Sequence, residues 1–290
     1  MTTSSPAAPA AASSGSSGSS TLRRALSQKR LVFGLGLTVL IVLFAALGPV
    51  LAPHGQNEVV GSPYGTQGLL GTDYLGQDVW SRLLYGGRAI LLTALLSTIL
   101  GMVVGIAIGV VAAYAGGWWD EVIMRLNDVT LAFPQILLSL VVLTAVNQPR
   151  AWMIVVLVGI SHAPRVARVA RGVALGLVSR DFVHAAEALG ERRSRVIMAE
   201  VLPNMNAPLL AEAGLRLTYS ITVIAGLGFL GFSTDPGAAN WGEMINENRL
   251  ALSTQTWAVL APVLVIGLFC VGTNLMADGI AQASQRGGGE

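Results

Sequence analysis

Long apolar runs are the feature that most limits what this chain can form. The first run, Leu31–Ala52, holds 22 residues without a charged side chain. As a helix rising about 1.5 Å per residue it would be about 33 Å long, enough to cross a hydrocarbon core of roughly 30 Å. Five further runs each predict another membrane-spanning helix: Ala89–Tyr114, Val122–Val146, Ala151–Val169, Ala207–Phe232 and Trp257–Ile280. We therefore expect an all-α polytopic membrane protein with six transmembrane helices.

The charge content agrees with this expectation. Asp, Glu, Lys and Arg make up 12% of the chain, about half the fraction typical of a soluble domain. So few charges cannot cover the surface of a soluble globule, which argues against a soluble enzyme and against a disordered scaffold. The basic residues are not clustered beside aromatic side chains, so we expect the lipid bilayer, and no nucleic acid, as a partner.

The distribution of basic residues predicts the orientation. Six spans place both termini on the same side, and 14 of the 18 Lys and Arg residues would then share that side. The four on the other side are Arg82, Arg88, Arg150 and Arg249. Because cytoplasmic loops carry the excess of basic residues, both termini are expected in the cytoplasm, with the chain in the inner or plasma membrane.

The chain divides into segments at changes of composition. Residues 1–22 are small and polar and predict a disordered cytoplasmic tail. We expect an N-terminal transmembrane helix in 23–52, an external segment with an amphipathic helix in 53–88, and a five-helix core in 89–280, followed by a cytoplasmic tail, 281–290. The core includes a cytoplasmic loop at about 170–206 and an external loop at about 233–256.

The cytoplasmic loop has the pattern of two short helices. Asp181 is placed to cap a helix whose apolar side chains recur at helical spacing: Phe182, Ala185, Ala186 and Leu189. Gly190 follows, where a left-handed helix stop needs a residue without Cβ. A second helix would begin at Glu191 and end before Pro203. The apolar face is too small for strong lipid binding, whereas its alanines suit close docking into a groove of another protein.

Two sets of glycines indicate close packing rather than ligand binding. A P-loop needs a lysine directly after its glycines. The only lysine, Lys29, follows Ser27 and Gln28, so the chain holds no P-loop. Gly226–Gly231 matches a dinucleotide-binding pattern, but it lies within an apolar run instead of a strand-to-helix turn. Gly101, Gly105 and Gly109 recur every four residues, on one helix face where a neighbouring backbone can approach. Three scattered histidines and a single cysteine predict no metal site.

Polar residues within the apolar runs lie toward their cytoplasmic ends. Among them, Glu212 and Arg216 are four residues apart and can pair, and Asp128 lies near the same end of its run. A proton-coupled carrier would place such groups near the midplane. We expect these three residues to brace the loop junctions or, alternatively, to form an inner gate.

Three segments, taken in order, resemble the permeases of ABC importers. His184–Gly190, continuing to Leu202 and Pro203, resembles the family's EAA loop, which begins Glu-Ala-Ala. Gly71–Gly86 is similar to the GTDxLGRDxxSRLxYG segment of the C-type subunit of dipeptide and oligopeptide importers. Trp241–Met244 resembles the WGxM segment of the same subunits. The resemblance covers about residues 23–282.

This resemblance implies a type I ABC importer permease fold and a set of partners. A homologous permease would form a heterodimer with this chain, two cytoplasmic ATPases would carry ATP and Mg²⁺, and an extracellular or periplasmic solute-binding protein would deliver peptide. This chain would bind no cofactor and catalyse no reaction. Residues implied to face the binding protein are Asp73, Asp78, Arg82 and Trp241. Residues implied to couple to the ATPase are Phe182, His184, Ala185, Ala186, Glu187, Leu189, Gly190, Leu202 and Pro203.

Two positions depart from the family pattern. His184 stands where the family has the first glutamate of its motif, and Gln77 stands where it has arginine. We hypothesise that Glu187, one helical turn beyond His184, takes over the contact of the missing glutamate. Permeases of the same family for nickel chelates, haem or glutathione would share these patterns, and an ATP-independent secondary carrier is a further alternative.

Overall fold

The computed structural model describes residues 28–146, 150–233 and 237–287. Within these ranges the chain is helical, and two isolated bridges, Val59 with Gln77 and Thr72 with Asp78, are its only β pairing. The tail 1–22 and residues 288–290 lie outside the described residues. The long helices are α1 (Lys29–Leu51), α2 (Val79–Ala115), α3 (Gly117–Leu131), α4 (Gln135–Thr144), α5 (Ala151–Val178), α9 (Asn206–Phe229) and α11 (Thr256–Gly287). The short ones are α6 (Asp181–Ala188), α7 (Arg193–Val196), α8 (Leu202–Asn204) and α10 (Trp241–Asn248).

Four helices in the described ranges are long and apolar enough to cross a membrane: α1, α2, α5 and α11. The pair α3 and α4 would make a fifth span if it is counted as one broken helix. The helix α9 coincides with the predicted run Ala207–Phe232 but is not among the four. The structure thus supports a polytopic helical protein, and six spans and the side of the termini stay predictions.

The helix α2 is longer than the sequence indicated. It begins at Val79 and runs without interruption for 37 residues to Ala115. The helical part of the predicted segment 53–88 is therefore the first part of α2, which continues past residue 88 without a break. The physical reason lies at Gly87, where an added Cβ would approach Ala45 Cβ to 2.5 Å and Trp241 Cζ2 to 2.6 Å. Packing of α1 and α10 against Gly87 keeps α2 helical at this position, although glycine has a low helix propensity.

The glycine stripe lets α2 and α5 approach closely, as predicted. A Cβ at Gly105 would lie 2.5 Å from Val166 Cβ and 2.6 Å from Ala163 O. A Cβ at Gly109 would lie 2.4 Å from Ala167 O. These distances leave no room for a side chain, so the stripe fixes the spacing of the two helices.

The predicted span Val122–Val146 is broken. The helices α3 and α4 meet at an angle of 72°, with Pro134 as the N-cap of α4. Proline has no N–H to donate to the preceding turn and keeps the residue before it out of the helical region. One continuous helix is therefore not formed here, and the sequence prediction overlooked this proline.

The glycines of Gly226–Gly231 end α9, in agreement with a structural role. Gly231 has a φ of +91°, and the Phe232 N–H donates to Leu227 O at 2.9 Å, which is the bond of a Schellman helix end. A Cβ at Gly228 would lie 3.3 Å from the Gly242 Cα. The pattern thus serves a helix stop and the close packing of α9 against α10.

Candidate functional site

Two regions hold most of the candidate residues, and they lie at opposite ends of α2. The two-helix loop, residues 181–204, contains α6, α7 and α8 and packs against the Ala115 end. The loop cap, residues 52–78 and 237–255, contains α10 and packs against the Val79 end. One helix therefore contacts both regions.

The first helix of the two-helix loop ends at Gly190, as predicted. Gly190 has a φ of +80°, a conformation that L side chains rarely adopt. The Glu191 N–H donates to Ala186 O at 3.2 Å, and the Gly190 N–H donates to Glu187 O at 3.0 Å. These two bonds are those of a Schellman motif, and they satisfy carbonyls that the helix end would leave free.

The start of this helix differs from the prediction. Asp181 is the first helical residue, Arg180 is the N-cap, and no side chain caps the end. Asp181 therefore acts through its charge in the first turn, where a carboxylate is favourable.

The second helical segment passes through Pro203, and the predicted end before this proline is wrong. The residues Ile197–Val201 form a turn of π-helix, and the Leu202 N–H donates five residues back to Ile197 O. The shift in the hydrogen-bond ladder comes directly before Pro203, which has no N–H to donate. The backbone thus accommodates the proline and stays helical to Asn204.

The two faces of the two-helix loop differ in exposure. Val183, Val196 and Val201 are buried in a cluster with Val110 of α2 and Ala170 of α5. Most of the residues implied to couple to an ATPase are exposed, namely Phe182, His184, Ala185, Glu187, Leu189, Gly190 and Pro203. Ala186 and Leu202 are half-buried and pack against the cluster.

The most exposed apolar side chain of this loop is Leu189, which is 84% exposed. It lies directly before Gly190, at the tip between the two helices. The loop therefore combines an anchored inner face with an exposed apolar tip.

Glu187 is held from within the chain. Its carboxylate accepts a hydrogen bond from the Tyr114 hydroxyl at the end of α2. His184 Nδ1 lies 3.9 Å from the other carboxylate oxygen of Glu187. The Arg193 guanidinium lies 5.9 Å from the centre of the Tyr114 ring, within reach of a cation–π contact. The side chain that the sequence suggested for an ATPase contact is therefore engaged with α2.

The three bracing or gating candidates form ion pairs. Glu212 Oε1 and Arg216 Nε lie 2.8 Å apart on α9 and are largely buried, which confirms the predicted pair. Asp128 Oδ1 lies 2.7 Å from Arg168 Nη2 and joins α3 to α5. The pair between α3 and α5 holds two elements together, as bracing requires.

A charged cluster lies at the centre of the loop cap. The Leu75 and Gln77 N–H groups each donate to Asp73 Oδ1 at 2.9 Å. Arg82 donates to the other carboxylate oxygen of Asp73 and lies 2.9 Å from Glu247 Oε2. Burial raises the pKa of the nearby Tyr74 phenol, and the Glu247 carboxylate raises it further. The cluster joins the segment before α2 to α10.

Two further candidates also hold the loop cap together. Asp78 is the N-cap of α2, where its Oδ2 accepts from the Ser81 N–H at 3.0 Å. Trp241 Nε1 donates to Leu83 O at 2.8 Å, so α10 is fixed to the first turns of α2.

Three of the candidates implied to face a binding protein lie inside the loop cap, and Arg82, in the first turns of α2, is buried against it. Asp73, Asp78, Arg82 and Trp241 are each less than 5% exposed. The interpretation that these side chains face a partner is corrected, since they hold the loop cap in shape and do not form its surface. Sequence reasoning missed Glu247 and Tyr74, because their pairing depends on segments far apart in the chain.

Two family models match this chain, and both describe membrane components of transport systems. Residues 105–286 match the model of the binding-protein-dependent transport system inner membrane component. Residues 16–68 match the model of the N-terminal TM domain of oligopeptide transport permease C.

Curated relatives cover nearly all of the chain. It is 35% identical to the dipeptide transport system permease protein DppC of Escherichia coli strain K12, over 88% of each chain. It is also 35% identical to the di/tripeptide transport system permease protein DppC of Pseudomonas aeruginosa, over 86% of each chain. A putative peptide transport system permease protein of Brucella suis is 33% identical, over 90% of this chain and 88% of the relative.

A solved structure has a similar fold. It is an inward-facing form of the MetNI methionine ABC transporter, with a TM-score of 0.54 and 16% identity. The match covers 69% of this chain and 96% of the other. At this identity the likeness concerns the fold alone.

Proposed function

Because this chain belongs to the family of binding-protein-dependent transport system inner membrane components, as a C-type permease subunit, we propose that it forms half of the translocation path of an ATP-driven importer. Its partners would be a homologous permease, two cytoplasmic ATPases with ATP and Mg²⁺, and a solute-binding protein. The two-helix loop would lie in the cytoplasm and the loop cap outside.

The exposed tip of the two-helix loop carries this proposal. Leu189 projects at the tip while Val183 and Val196 anchor the inner face. A loop fixed on one face moves as a unit with the helices behind it. ATP-driven closure of the ATPases would therefore displace the ends of α2 and α5 and favour a state open to the outside.

The names of the curated relatives favour peptides as the solute. The relatives from Escherichia coli and Pseudomonas aeruginosa are named dipeptide and di/tripeptide permeases. We accordingly propose di- or oligopeptides as the substrate, ahead of nickel chelates, haem or glutathione. The buried residues of the loop cap would hold the outer surface that meets the binding protein.

Reconstitution tests the proposal. The chain is placed in proteoliposomes with its second permease, both ATPases and the binding protein, and uptake of a labelled dipeptide is measured with and without ATP. We expect uptake only with ATP and the binding protein. Uptake without ATP would overturn the proposal in favour of a secondary carrier. Parallel assays with a nickel chelate, haem and glutathione test the substrate, and preference for one of these would replace peptide.

A pair of leucine variants tests the docking site. Leu189→Glu places a charge at the apolar tip and should abolish co-purification of the ATPases with the permease. Leu250→Glu is the matched control, because Leu250 is 85% exposed but lies in the loop cap. Equal co-purification of both variants would contradict docking at the two-helix loop.

A further inference from the structure

A single helix joins the two candidate regions. At about 1.5 Å per residue, the 37 residues of α2 extend over roughly 55 Å. Its first turns are held in the loop cap, where Arg82 pairs with Glu247 and the Leu83 carbonyl accepts from Trp241. No proline interrupts it, and Gly101, Gly105 and Gly109 pack closely against α5. Movement at one end of α2 is therefore transmitted to the other.

The other end of α2 contacts the two-helix loop in two ways. Val110 and Ala113 pack into the apolar cluster that includes Val183, and such contacts allow neighbouring surfaces to slide. The Tyr114 hydroxyl adds a directional bond to the Glu187 carboxylate, of the charge-assisted kind that is stronger than a neutral hydrogen bond. The hydroxyl thus fixes the register of α6 relative to α2.

We propose that Tyr114 is a positioning residue that ties the two-helix loop to α2, so that events at the loop cap and at the ATPases stay coupled. This inference rests on the proposed function. In this role Tyr114 acts through its hydrogen bond to Glu187. The Arg193 guanidinium over its ring holds the phenol in place.

The same contact gives Glu187 a different role from the one suggested by the sequence. A glutamate that forms an ion pair with an ATPase needs its negative charge, and replacement by glutamine removes that charge. A glutamate that accepts from Tyr114 needs an acceptor oxygen, which glutamine keeps. Glu187→Gln should therefore retain most of the coupling, whereas Glu187→Ala should lose it.

The test uses the assembled transporter in proteoliposomes. Tyr114→Phe removes the hydroxyl and keeps the ring beneath Arg193. We expect the ATPases to remain bound and dipeptide uptake to fall about fivefold or more, in line with the loss of a charge-assisted hydrogen bond. The number of ATP molecules hydrolysed per peptide imported should rise at least threefold. General damage to the fold would lower hydrolysis and uptake together and leave this ratio unchanged.

Controls separate this inference from the proposed function. Tyr85→Phe makes the same substitution at the other end of α2, where the described residues provide no hydrogen-bond partner for the hydroxyl, and it should leave the ratio unchanged. Combining Tyr114→Phe with Glu187→Ala should have no greater effect than either change alone.

An unchanged ratio in Tyr114→Phe, or loss of coupling in Glu187→Gln equal to that in Glu187→Ala, would overturn the inference. Leu189→Glu tests the docking itself, so failure of one proposal is distinguishable from failure of the other.

Discussion

Arg82 and Glu247 form a buried ion pair across the loop cap, with 2.9 Å between Arg82 Nη1 and Glu247 Oε2. The same guanidinium bonds to Asp73, so one cation compensates two carboxylates from distant segments. The start of α2 and the helix α10 are held together by this charge balance as well as by apolar packing.

Removing the cation should therefore be costly. Arg82→Ala leaves Asp73 and Glu247 without their counter-ion, and we expect a loss of about 3–5 kcal/mol of stability. The apparent melting temperature of the purified protein in detergent measures this loss. Arg249→Ala removes an exposed arginine from the same region and should change the melting temperature little. A similar fall in both variants would contradict the compensating role of Arg82.

Changes at Gly190 should loosen the tip of the two-helix loop. Gly190→Ala forces a Cβ into a left-handed conformation at a cost of about 1–2 kcal/mol, although no atom obstructs the Cβ. Hydrogen exchange of the amides in α6 should quicken about fivefold or more. Gly172→Ala also adds an unobstructed Cβ, but within a regular helix, and it should leave exchange unchanged or slower. Equal exchange in both variants would show that the left-handed position does not limit the stability of α6.

The glycine stripe should be intolerant of even one methyl group. Gly109→Ala would bring a Cβ to 2.4 Å from Ala167 O, and because this neighbour is backbone, α2 and α5 must separate. Overpacking of this kind costs about 1–3 kcal/mol and should lower the melting temperature. Gly36→Ala in α1 adds a Cβ with no atom within 4 Å and serves as the control. A stable Gly109→Ala protein would indicate that the two helices are less closely fixed than the structure places them.

Trp241 should be required for its bulk more than for its polar atom. Trp241→Ala removes a fully buried ring, and we expect a loss of about 3–5 kcal/mol. Trp241→Phe loses the bond to Leu83 O, and we expect a smaller loss of about 1 kcal/mol from that bond. Trp257→Ala, at a ring that is 50% exposed, is the control for a general effect of losing a tryptophan. An unchanged melting temperature for Trp241→Ala would contradict a packing role.

The apolar runs and the glycines predicted much of the fold, because both act locally. The stop at Gly190 and the spacing at Gly105 depend on the missing Cβ, which the sequence displays directly. The pair Glu212 and Arg216 followed from helical spacing alone. In each case the decisive residues are neighbours along the chain or on one helix face.

The roles of the loop residues could not be predicted in the same way. Asp73 and Arg82 look like surface charges until Glu247 is brought beside them by the fold. Glu187 suggested a contact with another protein because its partner, Tyr114, lies in a different helix. Charged side chains give little local indication of burial, since burial depends on a partner supplied from elsewhere.

The break between α3 and α4 restricts what can surround this chain. The ends of two helices meet there at 72°, where the Asn127 carbonyl accepts from the Thr130 hydroxyl and the Val129 carbonyl accepts from the Ala132 N–H. Lipid tails offer no hydrogen bonds to the other peptide groups of these ends. Within a bilayer the remaining peptide groups of this corner would need water or protein beside them, from this chain or from another polypeptide, in place of lipid tails.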